Sequence, residues 1–419
     1  MCLTIPAKVI EIKGKTAVID SGGVIKTIDI RTLDGLSVND WVLYMSDIAV
    51  KRVSDEDAQE ILAILEHTQK TDPDKLDKKF IEIVKASKQR KLTKTEIVYL
   101  LNTKGNEKKA LFSEAEMLRK TYIKDFFCIH GIIEFSNYCK NDCKYCGLRK
   151  QNESILRYRM QQEEIVATVK KAVKEKGYKL IVLQSGEDPY FTKEKLVDLV
   201  KNIKKTCRVF IFMSIGERDF KTYKAIREAG AEGVLFRFET SNPDLFKKIH
   251  KRGKNFANRF KHLEFMKNLK FFIASGSLVG IPGQTIEDLA NDIIIMRDNN
   301  FNMISMGPFV PCSNTPFENE RPGKTDILLK MISILRLEIK DTRIPVVTAH
   351  ETLDPKEARK KAIHAGANAL MFNLTPKKHA PHYEIYKRKE AVNNQMWENY
   401  GLYNTEESYK MLEDKLKIE

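Results

Sequence analysis

The chain has 419 residues, 42% of them apolar, and a formal net charge of +15. That length exceeds one small domain and suits a large barrel joined to a small module. No run of about 18 apolar residues occurs, which excludes a helical membrane span. The opening MCLTIPAKVIEIKGK carries neither a charged n-region nor a long apolar stretch, so no signal peptide is read and a cytoplasmic protein is expected.

Basic chains can bind nucleic acid, but here the lysines are spread along the sequence. The densest stretch, Lys78 to Lys94, is interleaved with apolar residues at helical spacing. That pattern reads as a solvated surface rather than a nucleic-acid face. Seven cysteines in a cytoplasmic chain do not suggest a disulfide framework.

Taken in chain order, AKVIEI, TAVID and VIKTIDI are alternating or β-branched runs separated by KGK and SGG, and WVLYM (Trp41 to Met45) reads as a further strand. Together they predict a small N-terminal all-β, OB-like barrel. Ser54, with Asp57 three residues on, opens a capping-box pattern leading into an amphipathic helix. The predicted division is a barrel module over 1–70, a linker over 71–90 that includes the charged QKTDPDKLDKK, a main domain over 91–380, and a tail over 381–419 packing on that domain.

Residues 78 to 124 are helical in pattern, and then the rhythm changes. CIHGIIEFS, KLIVLQSG, RVFIFMSI, GVLFRFET, FFIASGSLVG, NMISMGPF, IPVVTAHET and ALMFNLT are eight strand candidates, with helical stretches between them. Strict βα alternation predicts a parallel (β/α)8 barrel, whose chemistry sits at the C-terminal ends of the strands. Ser136, Gln184, Ser185, Ser214, Glu239, Thr240 and His350 fall at those ends.

SNYCKNDCKYCGLR follows the first barrel strand. It holds Cys139, Cys143 and Cys146 spaced CX3CX2C. Thiolates hold iron–sulfur clusters with one ligand per iron, so three ligands leave one iron of a cubane open to a small molecule. A zinc site would show a second CX2C half or a nearby histidine, and there is no second cysteine pair.

This triplet, with Tyr145 before its last cysteine, resembles the radical S-adenosylmethionine (SAM) superfamily. GIIEFSNYC, CKYCGLR, RYRMQQEEI, LQSGEDP, SIGER, RFET, GSLVGIPGQT and GPFVP resemble, more narrowly, its HydE-like hydrogenase maturases, with methylornithine synthase and biotin synthase further off. The resemblance runs from about residue 90 to 376. It implies a [4Fe-4S] cluster held by Cys139, Cys143 and Cys146, whose open iron chelates SAM and whose electron cleaves it. It implies Tyr145 beside the adenine and Gln184, Ser185, Gly186 and Glu187 at the methionyl end. It places Ser214 and Glu217 at the third-strand tip and Arg237 and Glu239 on the fourth strand, with Glu239 on a ribose hydroxyl. Arg259 would meet the SAM carboxylate, since a guanidinium pairs with carboxylates bidentately. GIPGQT lacks the phosphate-loop pattern. It reads as a tight turn, either lowering the backbone toward SAM or purely structural.

MCLTIPAKVIEI, TAVIDSGGVIKTIDI and WVLYMSDIAV resemble the HypC chaperones of [NiFe]-hydrogenase maturation over residues 1 to about 65. In that family the second residue, here Cys2, helps carry an iron bearing CO and cyanide. The family histidine is replaced here by Met45, a softer and weaker ligand, so Cys2 is read either as an iron carrier or as a remnant in a docking domain. The barrel departs from its family too, at Cys312 and at the polar His350 and Glu351 of TAHETL.

The resemblances imply an enzyme acting in hydrogenase active-site maturation on an iron–CO/CN–cysteine precursor, alongside other maturation proteins. A radical SAM mutase acting on an organic amino acid is the alternative.

Overall fold

The computed structural model describes residues 5–21, 24–45, 47–59, 76–123, 127–250 and 255–386. The chain divides into two compact units, Met1–Lys75 and Leu76–Glu419. Cys2, the helix expected beyond Gln59 and the tail beyond Tyr386 lie outside the described residues.

The first unit is a closed barrel in the order β1-β2-β3-β5-β4. Its strands are β1 (Ile5–Lys13), β2 (Thr16–Ser21), β3 (Val24–Asp29), β4 (Trp41–Met45) and β5 (Ile48–Val53). Alternation puts Ala7 and Val9 of β1 and Ala17 and Ile19 of β2 inside, with Ile28, Val42, Tyr44 and Ala49 completing the core. β5 is a strand that the sequence pattern did not single out. Among the described residues it pairs in parallel with β3 at Asp29 and Ile48, and that contact closes the barrel. Ser54 Oγ accepts the backbone N–H of Asp57 at 3.1 Å, as its N-cap position predicts.

The second unit opens with three helices, Lys78–Ser87, Lys94–Asn102 and Gly105–Ile123. The first of them corrects the linker expected over 71–90. Asp77 caps it, and Phe80 and Ile83 sit in the main core, because its apolar residues recur at helical spacing.

Eight parallel strands follow, ordered β12-β10-β9-β8-β7-β6-β15-β14. They are β6 (Cys128–Ser136), β7 (Leu180–Ser185), β8 (Phe210–Ser214), β9 (Gly233–Leu235), β10 (Phe272–Ser275), β12 (Met303–Ile304), β14 (Pro345–Val346) and β15 (Ala369–Asn373). At the seam between β12 and β14, Ile304 N–H donates to Arg343 O at 2.8 Å, so the sheet nearly closes into a barrel. All nine residues of β6 are buried, as expected for a strand covered on both faces.

Four of the eight strands differ from expectation at their ends: GVLFRFET is strand only over Gly233–Leu235, and NMISMGPF, like FFIASGSLVG, breaks in two. FFIASGSLVG breaks into β10 and a separate β11 (Leu278–Val279), which pairs with β13 (Gly307–Pro308) outside the main sheet. TAHET is not strand: Thr348–Leu353 is a short helix, and the seventh strand stops at Val346.

Alternation sorts the strands into two layers. Ile129, Ile133 and Phe135 of β6 face the surrounding helices, while Cys128 and Ile132 join Leu180, Val182, Phe210, Phe212, Phe272 and Met371 inside the barrel. Among the described residues no helix is long and apolar enough to cross a membrane.

Candidate active site at the barrel mouth

The inward rows turn polar at the C-terminal ends of the strands. Leu180 and Val182 lead to Gln184, and Phe210 and Phe212 lead to Ser214. Ser214 Oγ donates to Gln184 Oε1 at 3.3 Å, joining two predicted site residues across neighbouring strands. On the chain leaving β9, Arg237 Nη2 and Glu239 Oε2 form an ion pair at 2.7 Å. Glu239 has φ +70°, left-handed for a side-chain-bearing residue. Such a conformation costs of order 1–3 kcal/mol and persists only where neighbours hold it.

The cysteine loop springs from the end of β6 and is pinned from both sides. Gly186 N–H donates to Ser136 O at 3.1 Å, and Lys140 N–H donates to Glu187 O at 3.0 Å. Arg157 is a staple. Its guanidinium donates to the carbonyls of Asn137, Leu148, Arg149 and Asn152 at 2.6–3.0 Å. Gly147 N–H reaches Ile385 O at 3.0 Å, so the segment past the last strand crosses the loop. A Cβ at Gly147 would lie 2.0 Å from Glu384 O and 2.6 Å from Cys312 Sγ, so that close approach requires glycine.

Cys139, Cys143 and Cys146 are half-buried and carry no disulfide. Burial pushes the Cys146 thiol well up, and the charges of Cys143 and Cys139 push it further. Three thiolates therefore do not sit together unaided, and a positively charged iron core removes their mutual repulsion. This donor set fits a cluster. Among the described residues no group of three His, Cys, Asp or Glu is placed to hold a single metal ion; a four-iron cubane takes one thiolate per iron.

Tyr145 packs against the apolar group of Leu245, Ile249, Leu278, Ile281, Phe309 and Phe317, with its ring edge-on to His250. Burial first, then nearby Glu239, raises its hydroxyl well above the usual value, so it stays protonated. Tyr145, Glu239 and the cysteines thus share one end of the barrel.

Other predicted residues are already engaged. Ser185 Oγ donates to Gly186 O at 2.7 Å, within its own turn. The Glu187 carboxylate accepts Glu217 N–H at 2.8 Å and faces Lys140 Nζ at 3.6 Å. Arg259 is buried, with Glu217 Oε1 at 3.4 Å and the ring of Phe236 at 4.6 Å from its guanidinium carbon. Glu187, Glu217 and Arg259 therefore form one chain of contacts. His350 is buried in the helix Thr348–Leu353, which lowers it to about 4 and leaves it neutral, while the neighbouring Glu351 pairs with Arg359.

Sequence reasoning missed Asp188, although LQSGEDP contains it. Its side chain is fully buried and accepts from Ser136 Oγ at 2.7 Å, from Tyr190 N–H at 3.0 Å and from Arg159 at 2.7 and 3.0 Å. Burial would raise its carboxyl, but Arg159 and Ser136 outweigh that and hold it below the usual range. The paired arginines of RYRMQQEEI were the available signal, since arginines held among backbone carbonyls and carboxylates organise loops.

A nearly closed parallel barrel with a cysteine triplet after its first strand defines a class, the radical SAM enzymes, which work with a [4Fe-4S] cluster and SAM. The Radical SAM superfamily model matches residues 133–293, and the HupF/HypC family model matches residues 1–65. The [FeFe] hydrogenase maturase subunit HydE of Thermotoga maritima is 41% identical over 314 residues, covering 74% of this chain and 88% of that protein. A 3-methylornithine synthase of Methanosarcina acetivorans is 33% identical, covering 65% of this chain and 76% of that protein. The crystal structure of methylornithine synthase superposes with a TM-score of 0.67 at 28% identity, covering 76% of this chain and 93% of that one. The maturase HydG of Carboxydothermus hydrogenoformans shares the fold, with a TM-score of 0.66 at 18% identity and 83% of each chain covered. The chain belongs to the HydE-like group of the radical SAM superfamily and carries an N-terminal HupF/HypC domain.

Proposed function

We propose that this enzyme acts in hydrogenase active-site maturation, on a cysteine-bound iron carrying CO and cyanide, with Cys139, Cys143 and Cys146 holding the cluster. The observation that carries this reading is the joining of two modules in one chain: a barrel 41% identical to a HydE and a HupF/HypC domain over residues 1–65. When bound, the cluster supplies the electron that cleaves SAM.

The chain's own residues bind and orient. Arg157 and Asp188 shape the cysteine loop. Tyr145, Leu278 and Ile281 offer an apolar wall for an adenine. Glu239, held by Arg237, presents a carboxylate for ribose hydroxyls. Gln184 and Ser214 face the reacting end, and Arg259 with Glu217 and Glu187 forms the polar edge toward the methionyl group. The apolar barrel interior beneath keeps water from the reaction. In the first unit Cys2 receives or delivers the iron species, and covalent attachment raises its local concentration at the barrel. Other hydrogenase maturation proteins are the partners.

The test is release of 5′-deoxyadenosine, or of an adenosyl adduct, by the anaerobically reconstituted protein with dithionite and SAM. Product that depends on an added iron–cysteine dicarbonyl cyanide complex supports the reading, and Cys2→Ala then tests the carrier step. The similarity to 3-methylornithine synthase favours a second reading, an amino-acid mutase. Product that depends on lysine instead would establish it.

A further inference from the structure

Asp292 lies outside every motif singled out above. It sits in the helix Ile286–Asp298, its side chain has no exposed surface, and it joins two turns that belong to different strands. One oxygen, Oδ1, accepts Ser241 N–H at 2.6 Å, two residues beyond Glu239. The other, Oδ2, accepts Gln284 Nε2 at 3.3 Å.

Gln284 is the brace of the GIPGQT turn. Its Oε1 accepts Gly280 N–H at 2.7 Å and Ile281 N–H at 3.2 Å, and its Nε2 also donates to Leu278 O at 3.1 Å. That turn has little freedom of its own. Gly280 has φ +87°, and a Cβ there would lie 2.4 Å from Gly323 Cα. The tight turn of GIPGQT is therefore explained by packing against Gly323 and by Gln284, and it presents Leu278 and Ile281 to Tyr145.

On the other side, the left-handed Glu239 is tied in front by its own N–H to Gly276 O at 3.2 Å and behind by Leu278 N–H to its carbonyl at 2.8 Å. The Asp292 bond to Ser241 is the next restraint along the chain. No cation pairs with Asp292 among the described residues, and the charge acting on it is another carboxylate, Asp288. A buried carboxylate without a cation is costly. When Asp292 is ionised both oxygens act as acceptors, which asparagine cannot reproduce, because its amide would turn N–H toward one of two donors.

We propose that Asp292 is a positioning residue for SAM: it locks the Glu239 turn to the GIPGQT turn, so that the ribose carboxylate and the adenine wall hold one spacing. This rests on the SAM-site reading above. Asp292 touches neither the cluster loop nor the methionyl edge, so its effect belongs to the adenosyl half of the ligand.

The experiment uses the full chain, reconstituted anaerobically, as wild type, Asp292→Asn, Gln284→Ala, the double variant and Glu239→Gln. Iron content, melting temperature and equilibrium binding of SAM, 5′-deoxyadenosine and methionine are measured on each. We expect Asp292→Asn and Gln284→Ala each to weaken SAM and 5′-deoxyadenosine about tenfold, as outer supports of a binding group do. Iron content and methionine binding stay at the wild-type level, and the double variant is no weaker than the worse single, since both break one link. Adenosyl binding within about twofold of wild type at full iron content, or equal loss for methionine, overturns the proposal. Fully additive losses in the double variant overturn it as well. If Asp292→Asn fails to fold, Gln284→Ala carries the same test from the other end of the link. Wild type that binds no SAM, or Glu239→Gln that binds it normally, would instead bring down the site reading underneath.

Discussion

Arg159 and Asp188 meet in a two-point ion pair, with nitrogen–oxygen distances of 2.7 and 3.0 Å, although 29 residues separate them in the chain. Arg159 follows the cysteine loop and bridges back to Ser136, while Asp188 lies just past β7. The guanidinium also lies over the Tyr138 ring, 3.6 Å from its centroid, so Tyr138, next to Cys139, is gripped by the same pair.

Replacing Asp188 with alanine should therefore loosen the cluster loop more than the barrel. It removes a buried acceptor from Ser136, Tyr190 and Arg159. Breaking a buried charge pair costs about 3–5 kcal/mol, and the partial exposure of Arg159 places this case at or below the lower end. The expected result is a lowered melting temperature together with incomplete iron incorporation on reconstitution. An Asp188→Ala protein with a full iron complement and wild-type melting would contradict this.

Cysteine replacements should separate sharply. Cys139→Ala, Cys143→Ala and Cys146→Ala should each lose the visible absorption of the cluster and SAM cleavage while keeping wild-type circular dichroism. Cys207→Ala should keep the cluster, because Cys207 is buried at the end of the helix Lys193–Thr206. Cys312→Ala should also keep it, since Cys312 lies against the Glu384 carbonyl rather than in the triplet. Iron and sulfide counts across the five variants decide the matter.

Glu239→Gln should weaken SAM binding by about 10–100-fold, the loss typical of a hydrogen bond to a charged group. Iron content should not change. Arg237→Met should act in the same direction, because it frees the carboxylate that Arg237 holds. A titration of SAM against each reconstituted variant measures both.

Stability should show the Asp292 carboxyl directly. Burial raises it from 3.8 to about 7. A raised carboxyl means that the folded state holds a proton the unfolded state has released. Its contribution to stability therefore falls as pH rises from about 4 to about 7 and is constant above that. Asp292→Asn removes this slope. The difference in melting temperature between variant and wild type should shift in favour of the variant as pH rises through that window. A difference independent of pH between 4 and 7 would mean that Asp292 titrates as an ordinary exposed carboxylate.

The local order of the chain determined much of this protein. Short apolar runs separated by helical stretches marked the eight barrel strands, because a parallel strand is covered on both faces. Alternating or β-branched runs marked four of the five strands of the small barrel, because alternation is a local consequence of the pleat. The CX3CX2C spacing marked the cysteine loop, because a three-thiolate site drawn from one loop is legible in a short stretch. The tertiary structure decided what depends on distant neighbours. TAHET, read as the end of the seventh strand, is a helix, and β14 stops at Val346. Ser185 and Glu187, which look free in sequence, were taken up by Gly186 O and Glu217 N–H. Asp188 went unmarked inside LQSGEDP, and Asp292 lies in no motif. Each organises the site because folding also brings it to donors 29 to 52 residues away, and hydrogen bonds across such separations leave no period in the sequence to read.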